Sequence, residues 1–209
     1  MSTLSGSRAV TVVLSLLLAF IGKVALPQDS AAPLDSREAV AYETGARQPL
    51  AGDIVLSRGT GFWSDVFASL NRRDHRYSHA GIVVNDAGSL KVVHAAADDD
   101  GSNGGVRLDD FSGFTAEVRQ YTLLRLDNRD AAERVARAAL SMHAAALPFD
   151  FEFRLTNDRA VYCSELVWHA LTTALQHDPL PNKPFIADRQ VVLLENFLLD
   201  MPELHVVKM

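Results

Sequence analysis

Cys163 is the only cysteine in the chain, and it lies in the run Val161-Tyr162-Cys163-Ser164-Glu165-Leu166-Val167, where an apolar helical pattern begins. Upstream, Tyr77-Ser78-His79-Ala80-Gly81-Ile82-Val83-Val84 puts a histidine at the head of an apolar strand. A thiol at a helix N-terminus and an imidazole on a rigid strand are the parts of a cysteine nucleophile and its base. Free backbone N–H groups and the helix dipole favour a thiolate in the first helical turn. A neighbouring imidazolium lowers the thiol pKa further and returns a proton to the leaving group. The backbone N–H of Cys163 is also available to a tetrahedral oxyanion.

His94 supplies the third member, an orienter for the base. A hairpin centred between Asp86 and Ala87 places His79 directly opposite His94. A register shifted by two leaves the rings diagonal but on one face, because side chains alternate along a strand, whereas an odd-length turn would send them to opposite faces. Gly81 shares that face, and its missing side chain admits close approach of the nucleophile helix. A competing reading puts zinc among His79, His94, Cys163 and a carboxylate from Asp98 to Asp100. The sequence holds no CxxC or HExxH spacing, so the nucleophile reading leads and neither metal nor organic cofactor is required.

These parts need elements to hold them. The pattern predicts strands at Ile54 to Ser57, His79 to Val84, Leu90 to Ala96, Val106 to Leu108, Glu117 to Leu126 and Leu204 to Val207. It predicts helices over Phe62 to Leu70, Asp130 to Ala146, Cys163 to Gln176 and Asp188 to Leu199, with Asp130 and Glu133 spaced as a capping box. Strands gathered in the middle without regular βαβ alternation point to an α+β domain.

The chain has 209 residues, 48% apolar and 22% charged, enough for one core plus an N-terminal extension. Its net charge of −6 argues against a nucleic-acid surface. Arg72-Arg73-Asp74-His75-Arg76 is a local basic cluster, read as a solvated loop or an anion-attracting rim. Arg8 followed by the apolar stretch Ala9 to Ile21 reads as a signal peptide or membrane anchor within residues 1–26, with a linker over 27–49 and the domain over 50–209. The expected location is therefore exported, periplasmic or anchored at the cell envelope, with membrane association through the N-terminus. One cysteine cannot form an internal disulfide, which leaves Cys163 a free thiol.

Three blocks resemble the permuted papain-like amidase family, the YaeF/YiiX group of bacterial proteins. They are Gly52-Asp53-Ile54-Val55-Leu56, Tyr77-Ser78-His79-Ala80-Gly81-Ile82-Val83, and Phe149-Asp150 followed by Tyr162-Cys163-Ser164-Glu165-Leu166-Val167. That group is related to the NlpC-type cell-wall peptidases and, more distantly, to the lecithin:retinol acyltransferases. The resemblance implies a circularly permuted papain-like fold, an antiparallel sheet packed against helices. It also implies Cys163 as nucleophile, His79 as base and His94 at the third position, where related proteins often carry glutamate. Tyr162, Asp53 and Ser78 are expected to support substrate or oxyanion. The implied substrate is an amide or ester in a peptide, cell-wall fragment or lipid. Amidase action leads, with a lipid-directed acyltransferase or lipase and a non-catalytic binding module as alternatives.

Overall fold

The computed structural model describes residues 48–60, 62–98, 103–156 and 158–207. The expected signal segment and nearly all of the linker lie outside the described residues, as do Asp99 and Asp100.

The chain enters the fold at Gly52, whose φ of +89° and tight seat require glycine; a Cβ there would stand 2.1 Å from the Ala132 carbonyl oxygen. Strand β1 (Ile54–Arg58) follows, then helix α1 (Phe62–Leu70), and the three strands β2 (His79–Asp86), β3 (Ser89–Ala97) and β4 (Gly104–Asp110). A short helix α2 (Phe111–Ala116) leads into β5 (Gln120–Leu126), and α3 (Arg129–Ala144) and α4 (Cys163–Leu175) come next. The small hairpin β6 (Phe185–Ile186) and β7 (Arg189–Gln190), helix α5 (Leu194–Leu199) and β8 (Leu204–Val207) complete the described chain. The main sheet has the order β4-β3-β2-β1-β5-β8, and each of its pairs is antiparallel.

Side-chain alternation gives the sheet two different faces. Ile54, Leu56, Ala80, Ile82, Val84, Val93 and Ala95 meet Leu166, Val167, Ala170 and Leu171 of α4 in the main core. Ala131, Ala132, Val135, Ala136 and Ala139 bring α3 onto the same core. Val55, Val83, Val92, Leu123 and Val207 face the other way, with Phe111, Phe114 and Tyr121 packed against them. Because both faces are apolar at β2, that strand reads as a continuous hydrophobic run.

Four local expectations are corrected. Helix α3 is capped by Asn128, whose side chain accepts the Ala131 N–H at 3.0 Å, so Asp130 is inside the helix rather than at its cap. Residues 188–199 are not one helix. Val192 is pinned in extended chain by Tyr162 Oη, which accepts its N–H at 2.9 Å, and by Ser164 Oγ, which donates to its carbonyl at 2.8 Å. The strand expected from Glu117 begins only at Gln120, after the short helix α2. The β2–β3 turn is the two-residue loop Ala87-Gly88, with φ of +50° and +89°, closed between the paired residues Asp86 and Ser89. Two positive φ values suit the twist of a tight hairpin.

Candidate active site

Cys163 is the first residue of α4, and Tyr162 before it is extended, so the thiol stands at the helix tip. The backbone N–H groups of Ala80, Ser164 and Cys163 lie near the sulfur and favour its charged form. Ala80 lies beyond the last β2–β3 register pair, Ile82 with Val93, and directly follows His79. The nucleophile helix therefore touches β2 at the amide next to the candidate base. Burial pushes the thiol pKa up, and those N–H groups offset it only in part.

The histidines occupy the opposite sheet face from the α4 core, with Ser57 paired to His79 and Phe114 over both rings. His79 Nε2 lies 2.9 Å from His94 Nδ1, and His94 Nε2 lies 2.8 Å from Asp109 Oδ2. The two imidazoles meet edge to face, their centroids 5.0 Å apart. Burial, with the electrostatic influence of His94 and Arg107, pushes the His79 pKa down to about 3. Burial also lowers His94, against the pull of Asp109. The resting pair is thus a neutral thiol and a neutral imidazole, where the sequence suggested a thiol lowered by imidazolium. Among the described residues no hydrogen bond joins Sγ to an imidazole, and none engages His79 Nδ1.

The register differs from the direct pairing of His79 with His94 by two residues, which leaves the rings diagonal on one face. A Cβ at Gly81 would stand 2.5 Å from Val92 Cγ1 and 3.1 Å from His94 Cβ. Glycine there makes room for His94 rather than for the nucleophile helix.

The three supporting residues named from the motifs are each tied into the surrounding structure. Asp53 is fully buried, accepts from Arg125 Nε and Nη2 at 2.7 Å each and from the Leu50 N–H at 2.8 Å. Four residues before Ser57 on an extended strand, it is about 13 Å from the His79 end of β1. Ser78 Oγ lies 2.6 Å from Ser64 Oγ and ties the approach to β2 onto α1. The Tyr162 hydroxyl is engaged by Val192, and burial lifts its pKa well above the usual range.

Glu165 anchors the helix start, its Oε2 accepting the Tyr162 N–H at 3.2 Å. Its Oε1 is buried without a hydrogen-bond partner, with His169 Nε2 3.6 Å away. Burial and neighbouring Asp150 raise the Glu165 pKa. The basic cluster is also structural: the N–H groups of Arg72, Arg73 and Asp74 converge on Glu195 Oε2, and Arg73 and Arg76 pair with Asp200 and Asp74.

Asp109 is the site residue that sequence reasoning missed. It stands two places along β4 from Arg107, the register partner of His94, and so shares the imidazole face. The alternation Arg107-Leu108-Asp109 hinted at a strand, but the loop before it hid the pairing.

Asp98 is bound to Arg107, and among the described residues no three His, Cys, Asp or Glu side chains cluster as metal ligands. Among them, too, no helix is long and apolar enough to cross a membrane.

Residues 48–184 match the family model of the permuted papain-like amidase enzymes, YaeF/YiiX, C92 family. The fold is similar to that of the crystal structure of the metalloprotein yiiX from Escherichia coli O157:H7, with a TM-score of 0.61 and 22% identity over 78% of this chain and 98% of that one. No curated protein sequence matches the chain. The chain belongs to the permuted papain-like amidase family of YaeF and YiiX, and is thereby a hydrolase of cysteine-peptidase type.

Proposed function

We propose that this hydrolase cleaves an amide or ester through a thioester on Cys163, with His79 as base and His94 holding the base in place. The observation that carries the reading is the seat of Cys163 at the tip of α4, with the amide of Ala80, immediately after His79, near its sulfur. Beside Ala80, where β2 is no longer in register with β3, His79 Nδ1 takes the thiol proton as Sγ attacks the carbonyl carbon. The N–H of Cys163, in the first turn of the helix, serves as a donor to the oxyanion as the intermediate forms. As the intermediate collapses, the C–N or C–O bond breaks and the imidazolium protonates the departing amine or alcohol. Water, deprotonated by His79, then attacks the thioester and releases the acid with the free thiol.

A neutral resting pair suits this sequence, because proton transfer accompanies attack rather than preceding it. Desolvated, uncharged partners are also held for a substrate that displaces water. The term metalloprotein belongs to the Escherichia coli structure. Here both nitrogens of His94 and Nε2 of His79 are engaged, which leaves Nδ1 and Sγ as donors. Two donors do not fit the three or four protein ligands of a zinc site, so no step passes through a metal.

Intact-protein mass spectrometry tests the reading. Wild type treated with p-nitrophenyl acetate or an acyl p-nitroanilide should carry the acyl mass on Cys163, Cys163→Ala should carry none, and His79→Ala should acylate about 10²-fold more slowly. Equal labelling in Cys163→Ala, or no acyl-enzyme from any ester or amide offered, defeats it.

A further inference from the structure

The carboxylate at the far end of the imidazole series has a consequence for the base, given the functional reading above. Asp109 Oδ2 lies 2.8 Å from His94 Nε2, and His94 Nδ1 lies 2.9 Å from His79 Nε2. An ionised carboxylate can only accept, so the first bond requires a proton on His94 Nε2. In a neutral ring the other nitrogen is then bare, so His94 Nδ1 accepts and His79 Nε2 donates. The lone pair left over falls on His79 Nδ1. Burial of both rings keeps them neutral at rest, which makes this order the resting one.

We infer that Asp109 is a positioning residue that sets the proton order through two imidazoles and so makes Nδ1 of His79 the catalytic base. The other charge near both rings is Arg107, whose guanidinium bonds Asp98 and competes for neither imidazole. Phe114 packs against the two rings from α2 and offers no polar group. Asp109 itself is half exposed on the edge strand β4, so its substitution leaves the core untouched.

Nitrogen NMR of histidine-labelled, full-length protein reads the proton order directly, and acetylation of Cys163 by p-nitrophenyl acetate reads its effect. In wild type both rings should show a protonated Nε2 and a bare Nδ1. Asp109→Asn presents an amide NH₂ that can donate to His94 Nε2, so the order should mix or reverse in both rings and acetylation should slow about 10²-fold. Asp109→Glu should restore the wild-type order and most of the rate. A wild-type spectrum with a protonated His79 Nδ1, or an order that Asp109→Asn leaves intact, overturns the inference. Spectra that follow Asp109 in a protein whose Cys163 takes no acyl group would sink the hydrolase reading and leave this assignment standing.

Discussion

His94 packs directly over Gly81, its Cβ only 3.1 Å from where a side chain on that glycine would begin. This contact lets His94 lean diagonally across β2 and reach His79, with 2.9 Å between Nδ1 and Nε2. The tight Ala87-Gly88 turn sets the register that brings it there. A missing methyl on β2 thus sets where the second imidazole stands.

Gly81→Ala should therefore damage the site more than the fold. The new methyl collides with Val92 Cγ1 and His94 Cβ. Overpacking of this kind costs about 1–3 kcal/mol. Chemical denaturation should show a folded protein weakened by that amount, while acylation of Cys163 falls at least tenfold. A variant with wild-type acylation would mean that His94 need not hold its place.

The neutral resting pair has a kinetic signature. Iodoacetamide reacts with thiolate, which burial disfavours at Cys163, and His79 is held down to about 3. The alkylation rate should climb about tenfold per pH unit from pH 6 to beyond 9. A preformed thiolate–imidazolium pair would instead give a fast plateau reaching down to about pH 5. Following adduct formation by mass spectrometry across this range distinguishes the two.

Glu165 makes the helix start sensitive to pH. Its folded pKa is raised, so the native state holds a proton that the unfolded state has already lost. That contribution is present at acid pH and is lost as pH rises through the folded pKa. Glu165→Gln keeps an oxygen for the Tyr162 N–H and removes the ionisation. It should match wild type near pH 4 and be more stable at pH 8 by on the order of 1 kcal/mol, the usual cost of an unpaired buried polar group. Urea melts at the two pH values provide the check, and an equal or lower stability at pH 8 would contradict the buried-charge account.

Several elements were legible because their signals are local. Helix α1, the start of α4 and the terminal strand fall where apolar periodicity places them, while His79 and His94 share a face because the turn between their strands has an even length. The helix expected over residues 188–199 failed because its decisive contacts come from Tyr162 and Ser164, about thirty positions away. Asn128 capped α3 because its side chain reaches an unpaired N–H, a geometric outcome that the Asp130 and Glu133 spacing imitated.

The amino-acid sequence by itself determined the reactive groups and the elements that carry them, since residue type and short-range periodicity encode both. Only the tertiary structure decided that Asp109 backs His94, that the sulfur meets the Ala80 amide, and that both reacting groups rest neutral. Those outcomes depend on strand register across a long loop and on burial by distant segments. Neither leaves a trace in the local pattern.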